Sequence, residues 1–125
     1  MTEKTVLQPG PNHPIRVTAS AEHVRVTAAG VTLADTHAAL VLREHGYPPA
    51  YYLPRADVQM AALRRTEHET YCPYKGEASY FTVLAGDTEL GDAVWSYEHP
   101  HAAVAEIKDH LAFYPDRVDV EVTPG

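Results

Sequence analysis

From Ile15 onward, apolar residues recur at every second position. Ile15, Val17 and Ala19 alternate with Arg16 and Thr18, and Val24, Val26 and Ala28 alternate with His23, Arg25 and Thr27. Alternation places one face of a strand on a core and the other in water, so strands are predicted over 15–19 and 24–28 with a turn at 20–22. Gly30 turns the chain into a further strand at 31–33. Segment 36–42 is read as a strand on the alternation of Ala38, Leu40 and Leu42, although 37–45 would also wind as a short helix. Tyr47-Pro48-Pro49 is a stiff extended connector, because a residue before proline is pushed out of the helical region. Strands follow at 50–53, 78–84, 90–97 and 118–122, with Gly86-Asp87 turning the third-last into the next. Two segments carry helical spacing instead. One is 54–63, with proline at its start and Val58, Ala61 and Ala62 on one stripe. The other is 101–111, with Val104, Ile107 and Leu111 opposite Glu106, Lys108 and Asp109. The polar run 64–71 (RRTEHETY) is read as a loop, and 1–13, with Pro9, Gly10 and Pro11, as a flexible arm. Short connections favour antiparallel pairing. The expected fold is therefore mainly β, a compact antiparallel system with two short helices, forming a single domain over 14–125.

Composition narrows the class without reaching the chemistry. The 125 residues, 45% hydrophobic and 22% charged, make one globular domain rather than a disordered chain. A net charge of −7 repels phosphate backbones, so nucleic acid is not an expected partner. No apolar stretch is long enough for a membrane helix, and the start lacks the basic and apolar regions of a secretory signal. With one cysteine an internal disulfide is impossible, which fits a reducing, cytoplasmic location.

The densest run of special residues is CPYKGEASY, 72–80. Lys75 follows Cys72 by three positions, close enough to favour a thiolate, and a fixed lysine also binds carboxylate or phosphate. Gly76 permits a left-handed or closely approached backbone. The plain alternative is a buried structural cysteine beside a solvated turn. Asp57, in PRADV, either caps a helix or orients Lys75 beside a pocket. Glu77 reads as a solvated carboxylate or a general base. Eight tyrosines against two phenylalanines are lopsided, and buried phenols need hydrogen-bond partners. An aromatic-lined polar cavity walled by Tyr52, Tyr80, Trp95 and Tyr97 is expected. His68 with Cys72, and His99 with His101, have ligand-like spacing, but there is no CxxC and no HExxH.

The segments ADT (34–36), YYLPRADV (51–58), CPYKGEASYF (72–81), AVWSYEHP (93–100) and LAFYPDRVDV (111–120) occur here in order. Together they resemble the domain-of-unknown-function 427 family, labelled in places nucleotidyltransferase-like, over nearly the whole chain from Ile15 to Val122. The resemblance implies a compact fold similar to the β-tent proteins, among them methionine sulfoxide reductase B. Many of those hold zinc with two CxxC pairs; neither pair is present here, so no metal or other cofactor is expected. There is also no Gly-Ser phosphate loop and no DxD, so nucleotidyl transfer is not adopted as the mechanism. The family motifs carry over Asp35, Tyr52, Asp57, Cys72, Lys75, Gly76, Tyr80, Trp95 and Tyr97.

The expected function is a small-molecule-binding domain. Tyr52, Tyr80, Trp95, Tyr97, Asp35 and Gly76 would surround the ligand. In an enzyme, Cys72 would be the nucleophile, Lys75 the group that binds an anionic or polar substrate, and Asp57 the residue orienting the lysine. One rival is a non-catalytic binding or assembly module, a homodimer for instance, in which CPYKG is a structural turn. The other is a metal hydrolase using His68 and Cys72.

Overall fold

The computed structural model describes residues 4–125, so the first three residues of the expected arm lie outside it. The chain folds as β1 Ile15–Ala19, β2 His23–Ala28, β3 Val31–Thr36, β4 Leu40–Glu44, β5 Ala50–Tyr52, β6 Leu63–Cys72, β7 Gly76–Ala85, β8 Thr88–Ser96, β9 Ala112–Phe113 and β10 Asp119–Thr123. Three antiparallel sheets result, with orders β1-β4-β5, β10-β2-β3 and β6-β7-β8-β9. The mainly β expectation holds. Between the sheets the chain is stitched at single bridges: Leu53 and Leu111 exchange backbone hydrogen bonds at 2.8 and 2.9 Å, and Val58 bridges Ala34. No helix among the described residues is long and apolar enough to cross a membrane.

Side-chain alternation builds two cores. Val24 and Val26 of β2 meet Val83 of β7, Val94 of β8 and Leu111 in the first. Tyr52, Tyr80, Tyr97, Val104, Ile107 and Ala112 make the second. Strand β7 serves both, sending Phe81, Val83 and Ala85 to the first and Ala78 and Tyr80 to the second. This explains why it reads as an almost continuous apolar run rather than a half-polar strand.

Four local expectations change. The strand read over 36–42 is interrupted: Thr36 ends β3, residues 37–39 lie outside any strand with Ala38 exposed, and β4 begins at Leu40. The run 64–71 is not a loop but most of β6, whose exposed polar side chains lie along a sheet edge. Edge strands carry charges that discourage pairing with other chains, and that same charge erases the alternation by which a strand is recognised. The segment 54–63 is no continuous helix: Arg55–Asp57 and Met60–Ala62 are single 3₁₀ turns. Between them Val58 is extended (φ −113°, ψ 138°), buried by its bridge to β3 rather than by a helical stripe. Likewise 101–111 buries Val104, Ile107 and Leu111 completely, but on 3₁₀ turns over Ala102–Ile107 with a non-helical Val104. Fewer than a dozen residues do not sustain a helix by themselves. The bridge at Leu111 then draws the chain into the extended conformation.

Candidate functional site

Residues from all three sheets wall a cavity of about 460 Å³. Tyr52 of β5, Tyr80 of β7, Trp95 of β8 and Tyr97 line it, as does Lys75, so five of the nine residues singled out in the sequence come together. The rings are arranged for mutual edge and tilted contact. Trp95 meets Tyr52 edge-on at 6.0 Å between centroids and Tyr114 at 4.5 Å, and Tyr52 meets Tyr97 at 6.4 Å. The Trp95 indole donates to the Tyr52 hydroxyl at 3.0 Å. The Tyr80 hydroxyl is shared with Thr70 at 2.9 Å and with Tyr114 at 3.5 Å, and the ring of His68 lies 4.4 Å from that of Tyr80. Burial holds the phenols of Tyr52 and Tyr97 well above the usual tyrosine range. Burial, then the hydrogen bond to Tyr80, raises Tyr114 too. These rings keep their protons at neutral pH.

The polar focus is an ion pair that the sequence reading did not anticipate. Lys75 Nζ donates to Glu44 Oε1 at 2.5 Å, and the other carboxylate oxygen lies 2.8 Å from His13 Nε2. The side chains of Glu44 and Lys75 are only 6% and 15% exposed. Burial alone would raise the Glu44 pKa, but the hydrogen bonds and charges of Lys75 and His13 together outweigh it, and the carboxyl is held below its usual range. His13 is fixed in turn by stacking on Tyr74, 4.1 Å between centroids and 11° between planes. The described part of the expected arm is thus in contact with the domain, and Leu7 N–H donates to Pro73 C=O at 3.0 Å. A signal for Glu44 was present in the sequence: the alternation Leu40, Leu42 runs on to Glu44, which puts a carboxylate on the inward face of β4.

The turn that delivers Lys75 is built by its neighbours. Lys75 N–H closes on Cys72 C=O at 3.1 Å, and Lys75 C=O accepts from His101 N–H at 2.9 Å. Gly76 adopts φ +113°, and a Cβ there would stand 3.2 Å from His99 O and 3.5 Å from His101 N. Its role is this close crossing, not ligand contact. Gly76→Ala is expected to cost about 2 kcal/mol, from strained φ and the tight contact together. Thermal denaturation checks this, and an unchanged Tm would refute it.

Four residues proposed from sequence do not line the cavity. Gly76 is one. Cys72 is half-buried at the end of β6 and is not part of the wall, although it lies close enough to Tyr52 and Tyr97 to add a small electrostatic contribution to the burial-driven rise in their pKa. Asp57 accepts from Thr36 Oγ1 at 2.7 Å, and that hydroxyl also accepts from Ala38 N–H. It therefore fastens a 3₁₀ turn to β3 rather than orienting Lys75, whose carboxylate partner is Glu44. Asp35 pairs with His23 at 2.6 Å on the exposed face of the β10-β2-β3 sheet. Among the described residues no three His, Cys, Asp or Glu side chains are grouped to hold a metal. Tyr114 and Pro48-Pro49, by contrast, complete the wall and rim.

Strand alternation puts a second polar cluster on the other face of β7. Arg65 donates to both oxygens of Glu98, at 2.8 and 2.7 Å, and to Ser79 at 2.8 Å. The Arg65 hydrogen bonds hold the Glu98 carboxyl below its usual range. Residues 16–124 match the family described as a domain of unknown function, DUF427. The chain belongs to the DUF427 family. No curated protein matches it. In this DUF427 chain the motif residues divide by strand parity: Tyr80, Trp95 and Tyr97 go to the cavity, while Ser79 and Glu98 go to the opposite cluster with Arg65.

Proposed function

We propose that this DUF427 domain binds a small organic molecule in the aromatic cavity, with Lys75 as its polar anchor. The observation that carries the reading is the cavity itself: about 460 Å³ of space walled by aromatic faces around one buried Lys–Glu pair. That volume and lining fit a ligand site, where apolar walls supply affinity and a few fixed polar groups supply orientation. Thiol catalysis is the less favoured form of the reading, because Cys72 is off the wall and Asp57 is engaged with Thr36. A binding role needs neither.

Trp95, the only tryptophan in the chain, reports occupancy directly. Titration with a library of aromatic fragments is expected to yield members that change Trp95 emission and raise Tm. Their binding should survive Cys72→Ser and weaken at least tenfold in Ala50→Trp, which fills the cavity from its wall. A library without such members, or hits indifferent to Ala50→Trp, would defeat the reading. Loss of binding in a folded Cys72→Ser variant would return the thiol to the centre of the site.

A further inference from the structure

Hydrogen-bonding capacity on the cavity wall is unevenly used. Tyr52, 1% exposed, accepts the indole N–H of Trp95, but its own hydroxyl hydrogen meets no acceptor among the described residues. Tyr97, 6% exposed, makes no side-chain hydrogen bond among them. The one sealed side-chain polar atom without a hydrogen bond among them is Arg55 Nη2, itself 3.5 Å from Glu98 Oε2, so the Tyr97 hydroxyl keeps access to open space. Lys75 has three ammonium hydrogens, and among the described residues its side chain has one acceptor, Glu44. The acceptors are more fully engaged: each Glu44 oxygen already has a partner, Lys75 or His13, and the Tyr80 hydroxyl is shared between Thr70 and Tyr114. The Tyr97 hydroxyl can accept as well as donate, so the imbalance rests on the Lys75 ammonium, which only donates. What the wall offers a ligand is therefore chiefly donors set among ring faces.

Resting on the reading of this cavity as a small-molecule site, we infer that its ligand is a planar aromatic molecule presenting a hydrogen-bond acceptor, carboxylate or carbonyl, and no ammonium group. An acceptor would take the idle hydrogens of Lys75, Tyr52 and Tyr97, which no acceptor among the described residues engages. The raised phenol pKa values keep the Tyr52 and Tyr97 hydrogens in place at neutral pH. Aromatic rings beside a carboxylate also suggest a cation site. Charge argues against that here. The Glu44 carboxylate is matched by Lys75 at 2.5 Å, so an incoming ammonium would stand against the lysine rather than replace water on a free carboxylate.

A matched series on one ring system tests the inference: 2-naphthoate, 2-acetylnaphthalene and 2-naphthylmethylamine, titrated calorimetrically into the full chain. The acid or the ketone is expected to bind at least tenfold tighter than the amine, and their order tells an anionic from a neutral acceptor. Tyr97→Phe should erode that preference at least threefold, and Lys75→Met should do the same, with circular dichroism confirming the fold of each. Tyr97→Phe keeps the test decisive if Lys75→Met does not fold. An amine that binds as well as the acid and the ketone overturns the inference and leaves the small-molecule reading standing. A preference unmoved by Tyr97→Phe also overturns it. Absence of binding by all three overturns it too, and the cavity reading falls with it if the fragment library gives nothing that responds to Ala50→Trp.

Discussion

Glu44→Gln is expected to destabilise the domain by about 3 kcal/mol at pH 7, because it leaves a buried ammonium without its counter-charge. For a domain of this size that is a fall in Tm of roughly 10 °C. The pH dependence has a definite direction. A carboxyl held below its ordinary value of 4.5 contributes stability that is fully present above that value. That contribution is lost as pH falls through the lower value of the folded state. The gap between wild type and Glu44→Gln should accordingly be widest near neutrality and shrink below about pH 4.5, where the unfolded-state carboxyl protonates. Denaturant unfolding across pH measures it. A variant as stable as wild type at pH 7 would show that Lys75 finds solvent when Glu44 is gone. Replacing both partners, as Glu44→Leu with Lys75→Met, should recover most of the loss, since an apolar pair leaves no orphaned charge.

Tyr52→Ala is expected to cost about 4 kcal/mol, the largest effect in the cavity wall. Tyr52 is fully buried in the second core, so truncation removes a ring and leaves a void that rigid strands on several sides cannot close. It also strips the Trp95 indole of its acceptor. Tyr52→Phe separates the two effects. It keeps the ring and removes the hydroxyl, with an expected cost of about 1 kcal/mol. A changed Trp95 emission should accompany both. If Tyr52→Ala lost less than about 1 kcal/mol, the wall would be able to collapse, and the cavity would not be a preformed one.

How much of this was legible depends on what each strand faces. β2 alternates because one side is core and the other water, and Val24, Val26 and Ala28 are all buried as the pattern requires. The run in β7 was readable as a strand for the opposite reason, being apolar on both faces. β6 was unreadable because it meets solvent along an edge, where periodic burial leaves no trace. The stripe over 101–111 names three buried residues, Val104, Ile107 and Leu111, on a backbone that is not helical; of the stripe over 54–63 only Val58 is buried, while Ala61 is exposed and Ala62 half-buried. Short bridges to β3 and to Leu53 decide the conformation in both.

The site divides in the same way. Tyrosine excess and motif order pointed to Tyr52, Tyr80, Trp95, Tyr97 and Lys75, which share the cavity. Cys72 and Asp57 stand out by chemical type alone, and type carries no geometry. The partner of Lys75 was found in neither way. It lies 31 residues upstream, at the inward end of β4, and only strand parity could have placed it.

Because β7 is common to both cores, no layer of this molecule can melt and leave the other standing. Its central amides should exchange with solvent through unfolding of the entire domain, as slowly on the cavity side as on the other. A ligand at a hundred times its Kd would then add about 2.7 kcal/mol to the whole domain rather than tightening one rim. Occupancy of the cavity would be felt as resistance to unfolding even at β3, a strand of the other core that gives the cavity no wall residue.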